Sequence, residues 1–461
     1  LRATFLSVRG FSYTYPGAPA PALRDIALRL HTGECVCVGG PSGCGKTTLL
    51  LALRGLLKRG RQEGALVRVC PGSESDIGLV FQNIESQVLL TPVEDDVAFG
   101  PQNRGYPHGE VTLRVGEALD DVGLQGFEKR NVSELSAGEK QRLGMASALA
   151  AGPRALFLDE PTAQLDRRGK ARLLQILRRL KARGVMLLVA EHDLEPFVEL
   201  ADRFLQMEEG RIICVGDCFE PQRAGGRPAA GGRENLPRLV DEGPPILSLK
   251  GLQVEGPAGP VFRGLDLEIR AGERVHLYGE NGAGKSTLLR CIAGLRRPDA
   301  GTVQVRGVGN HRSDRLLGKI ALLLQNPEKQ LFEENVQKEI GFSLLRMKLS
   351  EKESAARVME SAALCGVTHL LDRPPLGLSL GEQHRVALAS VMAMHPSLLL
   401  LDEPFAGIDF GERRRLLKTL TDYRNRWQTA VLIASHDDLP AVDWAERRLE
   451  MKGGRLETSP A

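Results

Sequence analysis

Two near-identical octets, "LSAGEKQR" at 135–142 and "LSLGEQHR" at 378–385, stand 243 residues apart. The same offset separates Asp159 in "LFLDEPTAQLD" from Asp402 in "LLLDEPFAGID", and Gln82 in "VFQNIESQ" from Gln325 in "LLQNPEKQ". Lys46 in "GPSGCGKTT" and Lys285 in "GENGAGKST" lie 239 apart, and His192 in "AEHD" and His436 in "ASHD" 244 apart. Five elements in one order at near-constant spacing make the chain a duplication. Whatever fold one half adopts the other adopts too, and each half must bury its own core.

The repeats divide the 461 residues into a first domain over 1–217, a linker over 218–244 and a second domain over 245–461. The linker is rich in Gly, Pro and Arg and has no apolar period,. Within each half, short Leu-rich and β-branched runs alternate with longer helical patterns. That alternation predicts an α/β fold with a mainly parallel central sheet. No apolar run reaches the roughly 18 residues of a transmembrane helix; the longest, such as "VMLLVA" and "SLLLL", have the length of strands,. "LRATFLSVRG" is an alternating strand pattern and not a basic-then-apolar leader, so a cytoplasmic chain is expected,. The net charge of +3 gives no electrostatic case for nucleic acid,. Eight cysteines show no C-x-x-C spacing. Cys214 and Cys218 in "CVGDC" offer a thin case for a metal, and buried reduced thiols are the expectation,.

Gly40, Pro41, Ser42, Gly43, Cys44, Gly45, Lys46, Thr47 and Thr48 follow the apolar alternation "ECVCV". Gly279, Glu280, Asn281, Gly282, Ala283, Gly284, Lys285, Ser286 and Thr287 follow "ERVHLY". A strand, a Gly-rich loop and a helix opening at Lys-Thr or Lys-Ser are the setting of a phosphate cradle. Glycines let successive N–H groups converge on an anion, and the helix N-terminus adds partial positive charge. Lys46 and Lys285 reach the β- and γ-phosphates, while the hydroxyls of Thr47 and Ser286 suit Mg²⁺. Both halves are expected to bind nucleoside triphosphate.

"ALFLDE" and "LLLLDE" are apolar strands running into two acids. Such a strand places Asp159 and Asp402 at its carboxyl end, where open α/β sheets bind ligands. Each Asp would orient Mg²⁺ through its water shell, and the adjacent Glu160 and Glu403 would polarise the attacking water. The bland alternative is an acid pair that caps the next element, with Pro161 and Pro404 as a sharp stop. His192 and His436 each end a second apolar strand and are placed to sense the γ-phosphate. Gln82 and Gln325 each end a further strand; their amides offer a carbonyl for Mg²⁺ or water and a donor besides.

This ordered set resembles the ATP-binding-cassette (ABC) ATPases, twice over and across nearly the whole chain apart from the linker. The octets resemble that family's signature, which caps the ATP held on the opposite domain. The resemblance implies that Ser136 and Gly138 close on the phosphate held by Lys285, and Ser379 and Gly381 on that held by Lys46. A functional dimer then forms within one chain, and Asp166 and Asp409 match the loop that links the two sites. It also implies that Tyr15 stacks on adenine. Gly256 falls opposite Tyr15 in the second half, which therefore lacks that platform unless Phe262 folds back. The segments around Gln82 and Gln325 resemble ATPases of energy-coupling factor (ECF) transporters, whose version reads roughly F-Q-N-P-E-x-Q; Ile84 departs from it. That likeness implies ATP and Mg²⁺ as cofactors and hydrolysis coupled to import of a vitamin or transition-metal ion. It further implies two membrane partners, a transmembrane coupling protein and a substrate-binding subunit, with this chain peripheral on the cytoplasmic face. Two alternatives stay open: a soluble tandem ATPase acting on the ribosome, and the tandem ATPase of a conventional importer. The linker lacks the long charged helix of the first, and both sites keep the Lys, Asp, Glu and His of which the second usually damages one set.

Overall fold

The computed structural model describes residues 2–68, 76–163, 165–216, 244–256, 259–309, 313–326, 329–408 and 410–459. The linker expected over 218–244 therefore lies, Pro244 apart, outside the described residues, as do Cys70, Cys218 and Asp409. The chain divides into two compact units, Leu1–Ala229 and Ala230–Ala461.

The first unit opens with β1 (Thr4–Thr14), β2 (Leu23–His31) and β3 (Cys35–Gly39), followed by α1 (Lys46–Arg54), β4 (Arg61–Arg68) and β5 (Ile77–Val80). Three helices come next, α2 (Val93–Asn103), α3 (His108–Val122) and α4 (Ala137–Ala150). The unit closes with β6 (Ala155–Asp159), α5 (Arg167–Ala182), β7 (Met186–Ala190), β8 (Arg203–Glu208) and β9 (Arg211–Gly216). Its central sheet runs β5-β6-β7-β3-β8-β9, parallel except for β9. A second, antiparallel sheet, β2-β1-β4, was not foreseen from the sequence.

The central strands explain the layering. Every residue of β3, β6 and β7 is buried, as a parallel sheet covered on both faces requires,. Successive side chains point to opposite faces. Val36, Val38, Phe157 and Leu188 pack with α1 and the antiparallel sheet. Cys35, Cys37, Leu158 and Val189 pack with the helical layer of α2 to α5. On α5, Leu173, Ile176, Leu177 and Leu180 form the buried stripe, at the spacing of one helix face,.

The second unit repeats the plan. Its elements are β10 (Leu247–Gly256), β11 (Gly259–Ile269), β12 (Arg274–Tyr278), α6 (Lys285–Ile292), β13 (Ala300–Val305), β14 (Val308–Gly309) and β15 (Ile320–Leu323). Then follow α7 (Val336–Arg346), α8 (Glu351–Leu364), α9 (Leu380–Met392), β16 (Leu398–Asp402), α10 (Phe410–Trp427), β17 (Ala430–Ser435), β18 (Arg447–Lys452) and β19 (Arg455–Ser459). The sheets are β15-β16-β17-β12-β18-β19 and β11-β10-β13-β14. Leu399, Leu401, Val431 and Ile433 face the helices, and Leu398, Leu400, Leu432 and Ala434 face the antiparallel sheet. The units are thus two α/β domains with mainly parallel sheets.

Cys35, Cys37, Cys44, Cys291 and Cys365 are free and buried, as expected. Cys214 is a correction: it is exposed, because it lies on the edge strand β9. No helix among the described residues is long and apolar enough to cross a membrane.

Candidate functional site

Each Gly-rich loop joins a central strand to the helix that begins at its lysine, β3 to α1 and β12 to α6. Gly45 and Gly284 stand just before those helices at φ 105° and 104°. That left-handed region favours glycine. Space excludes a side chain as well: a Cβ on Gly45 would lie 2.8 Å from Ala22 O, and one on Gly284 2.8 Å from Phe262 Cε1.

The lysines are buried in the loops' curl. Lys46 Nζ donates to Gly40 O (2.8 Å) and Pro41 O (3.2 Å). Lys285 Nζ donates to Gly279 O (2.6 Å) and Glu280 O (3.1 Å). The next residue reaches across to the strand-end acid: Thr47 Oγ1 donates to Asp159 Oδ2 (2.7 Å), and Ser286 Oγ to Asp402 Oδ1 (2.9 Å). Burial pushes the Asp159 carboxyl up to about 6 and raises Asp402 as well,.

Glu160 and Glu403 follow at φ 46° and 48°. A left-handed backbone at a non-glycine residue is uncommon and costs about 1–3 kcal/mol when imposed by its surroundings. It turns each glutamate back over its loop. Glu160 Oε1 lies 2.6 Å from His192 Nε2 and 4.0 Å from Lys46 Nζ, and its Oε2 accepts from Gln82 Nε2 (2.6 Å). His192 Nδ1 lies 3.1 Å from Gly40 O. In the second unit Glu403 Oε1 is 3.2 Å from Lys285 Nζ. Its Oε2 meets His436 Nδ1 at 2.8 Å and accepts from the His436 N–H at 3.2 Å. Each unit therefore gathers its Lys, Asp, Glu and His, with opposite edges of the imidazole turned to the acid. Gln325, half-buried, follows β15.

The octets are helix starts with a physical reason for their spacing. Ser136 caps α4: its Oγ accepts from the Glu139 N–H (3.3 Å) while Glu139 accepts from the Ser136 N–H (2.8 Å). At α9, Ser379 N–H and Oγ–H both donate to Glu382, at 2.9 and 2.6 Å. The S-x-x-E pattern could have announced this reciprocal cap, and the sequence reading passed it over. Ser136 and Ser379 are exposed. Asp166 caps α5, accepting from the Gly169 N–H at 2.8 Å.

Tyr15 is 39% exposed, its ring edge-on to Tyr13 and its hydroxyl 3.2 Å from Thr48 Oγ1. In the second unit Gly256 pairs with Gly259 across the antiparallel strands β10 and β11. Phe262 is 1% exposed, in the core beneath Gly284, so it does not fold back into Tyr15's place.

Two further groups went unread. Gln87 Oε1 accepts from the Phe81 N–H (3.1 Å), and its Nε2 donates to Leu79 O (3.4 Å) and Gly144 O (3.2 Å). Gln330 does the same for Leu324 N–H (2.8 Å) and Leu322 O (2.9 Å). The last Gln of each Q-N-x-E-x-Q stretch thus pins the loop that begins at Gln82 or Gln325. Glu191 is the other; burial pushes its carboxyl up to about 7.

Residues 23–163 and 262–406 match the family described as ABC transporter. A Methanosarcina acetivorans protein, provisionally named an ABC transporter ATP-binding protein, is 33% identical over 98% of this chain and 89% of its own length. One of the same name from Methanosarcina mazei is 32% identical over 98% of this chain and 94% of its own. The solved structure of cbiO1 from Clostridium perfringens, described as part of the ABC transporter complex cbiONQ, is 32% identical. It covers 46% of this chain and 87% of that one, with a TM-score of 0.43.

Proposed function

The chain belongs to the ABC transporter family and is a tandem ATPase, and from that premise we propose that it powers an ECF-type importer of a vitamin or transition-metal ion. Residues 1–217 and 245–461 are then its two ATPase domains, joined by a linker over 218–244. The observation that carries the reading is the paired loop after Gln82 and Gln325. Both copies carry the F/L-Q-N-x-E-x-Q pattern, both are pinned by the final glutamine, and in the first copy Gln82 reaches Glu160 directly. A loop tied at one end to the catalytic acid is suited to pass a partner's movement to the chemistry. Those partners are a transmembrane coupling protein and a substrate-binding membrane subunit, with this chain peripheral on the cytoplasmic face.

Tyr15 stacks on adenine, the loop N–H groups and Lys46 or Lys285 hold the phosphates, and Ser136 with Gly138, or Ser379 with Gly381, caps the phosphate held by the other unit. Among the described residues, a Cβ on Gly381 would meet nothing within 4 Å. Glycine is also a weak helix former, so packing within its own unit does not account for it. Mg²⁺ fits Thr47, Asp159 and Gln82, and Ser286, Asp402 and Gln325: these are hard oxygen donors, and Asp159 Oδ1 is buried without a hydrogen-bond partner among the described residues,. When bound, the ion would neutralise charge on the β- and γ-phosphate oxygens. Glu160 and Glu403 orient the attacking water and accept its proton as its oxygen bonds to the γ-phosphorus and the bond from that phosphorus to the β–γ bridging oxygen breaks, releasing ADP and phosphate. His192 and His436 hold the acid and contact the γ-phosphate.

The test is recovery of the tagged full chain from native membranes in mild detergent. A co-purifying multi-spanning protein that stimulates ATP hydrolysis is the expected result. Recovery with ribosomes, and none with membranes, would overturn the proposal in favour of the soluble alternative.

A further inference from the structure

We propose that Glu191 is a positioning residue of the first ATP site, which locks the turn behind Glu160 to the main chain of His192, and that the second site has no counterpart. The inference rests on Glu160 and Glu403 serving the chemistry, as proposed above.

Glu191 is 3% exposed, at the end of β7. A carboxylate removed from water is tolerated only when hydrogen bonds replace its hydration. This one accepts three. Its Oε1 takes the Thr162 N–H (2.7 Å) and the Thr162 Oγ–H (2.6 Å), and its Oε2 takes the His192 N–H (3.1 Å). Thr162 lies two residues after Glu160, in the turn that gives Glu160 its left-handed backbone. One side chain thus joins the segments that carry the acid and the histidine.

The second unit has Ser435 where Glu191 stands and Phe405 where Thr162 stands. Ser435 Oγ lies 2.8 Å from His276 Nε2 and donates to Asp437 O at 2.7 Å, while Phe405 is buried in the core. Among the described residues there, the histidine's main-chain N–H is taken by Glu403 itself, which also meets His436 Nδ1. In the first unit that N–H is already satisfied. Glu160 is left to spend one oxygen on His192 Nε2 and the other on Gln82. Glu191 therefore decides which imidazole edge faces the acid, and whether the acid can reach the glutamine of the loop. The first site is prearranged and the second is not.

The experiment uses the full chain. It compares Glu191→Ala and Glu191→Gln in a Glu403→Gln background, where turnover reports the first site alone, with Ser435→Ala in a Glu160→Gln background, where it reports the second. The readouts are kcat and KM for ATP and ¹⁵N-histidine NMR of the ATP-bound protein. Loss of an outer-shell orienting group costs about 10–100-fold in activity. Glu191→Ala should lower kcat by that factor with KM changed less than about threefold, the pattern of a lost transition-state arrangement. Ser435→Ala should change neither. Glu191→Gln keeps the acceptor for Thr162 but turns an NH2 toward the His192 N–H, so it should shift the His192 ring signals toward those of His436. Unchanged kcat and unchanged His192 signals would overturn the proposal, as would loss of ATP affinity with kcat retained. If Glu191→Ala does not fold, Thr162→Val, which removes only the hydroxyl bond, must show a smaller loss in kcat alone. Full turnover in Glu160→Gln/Glu403→Gln would refute the acids' role instead, and the NMR comparison would still decide what Glu191 holds.

Discussion

At the residue scale, Glu160 and Glu403 combine burial, a left-handed backbone and contact with both Lys and His. Replacing both with Gln keeps size and hydrogen-bonding reach but removes the base. Turnover should drop by about 10²–10⁴, with ATP still bound in a filter assay; near-normal hydrolysis would move the base elsewhere. Tyr15 gives a second prediction. Base–aromatic stacking is worth roughly 1–3 kcal/mol, or about 5- to 150-fold in affinity. The Lys46 site should bind ATP more tightly than the Lys285 site by that factor when titrated with Lys285→Ala and Lys46→Ala in turn, and Tyr15→Ala should level the two. Gly256→Tyr is not a clean converse, since its Cβ would lie 3.0 Å from Val261 Cγ2.

At the element scale, the loops after β5 and β15 depend on one glutamine each. Gln330→Ala would strip the hydrogen bonds from the half-buried Leu324 N–H and Leu322 O, where a lost hydrogen bond is worth about 0.5–1.5 kcal/mol,. The expected reading is a denaturant midpoint lowered by that energy divided by the slope, with the slope itself unchanged. The elements that carry phosphate chemistry were legible because their residues are fixed by the ligand: Gly45, Lys46, Asp159 and His192 sit in a pattern that packing alone would not produce. The strands were legible because β7 is apolar throughout and β6, β16 and β17 are apolar up to their last residue. What went unread is fixed by the protein's own polar groups. Gln87, Glu139 and Glu191 look like ordinary surface residues until the backbone shows which orphan N–H or C=O each one serves. The antiparallel sheet escaped for another reason: β1 opens as an alternating strand, but its partners lie elsewhere in the chain and bulges in β1 and β10 shift the pairing register,.

At the scale of the whole molecule, the caps proposed to cross between units make each half dependent on the other. Residues 1–217 and 245–461 expressed separately should hydrolyse ATP slowly and recover activity on mixing; full activity from either alone at monomeric concentration would contradict the exchange. The units should also differ toward acid. Burial pushes His276 and His384 from 6.5 down to about 4, and it lowers His395 too. The unfolded chain then binds more protons than the folded unit between those values, so the second unit loses stability as pH falls from about 6.5 to 4. Glu339, raised by burial, offsets part of this. The first unit has Cys37 and Gln141 at the places of His276 and His384. Glu191, raised from 4.5 to about 7, favours its folded state as pH falls through that range,. Asp159 and Asp402 are both raised by burial and so move the same way in the two units. Hydrogen exchange on the nucleotide-free chain at pH 5 and 7.5 should show the second unit opening first at pH 5 only. The left-handed backbone at Glu160 and Glu403 bears on how such a duplicated chain ages. Glycine or asparagine adopts that conformation more readily than glutamate, so either substitution would relieve strain as it extinguishes a site. That relief is set against the contacts to His192 and Gln82, or to His436 and Lys285, which the same substitution would break, so each site's survival depends on the balance between its backbone strain and its buried partners.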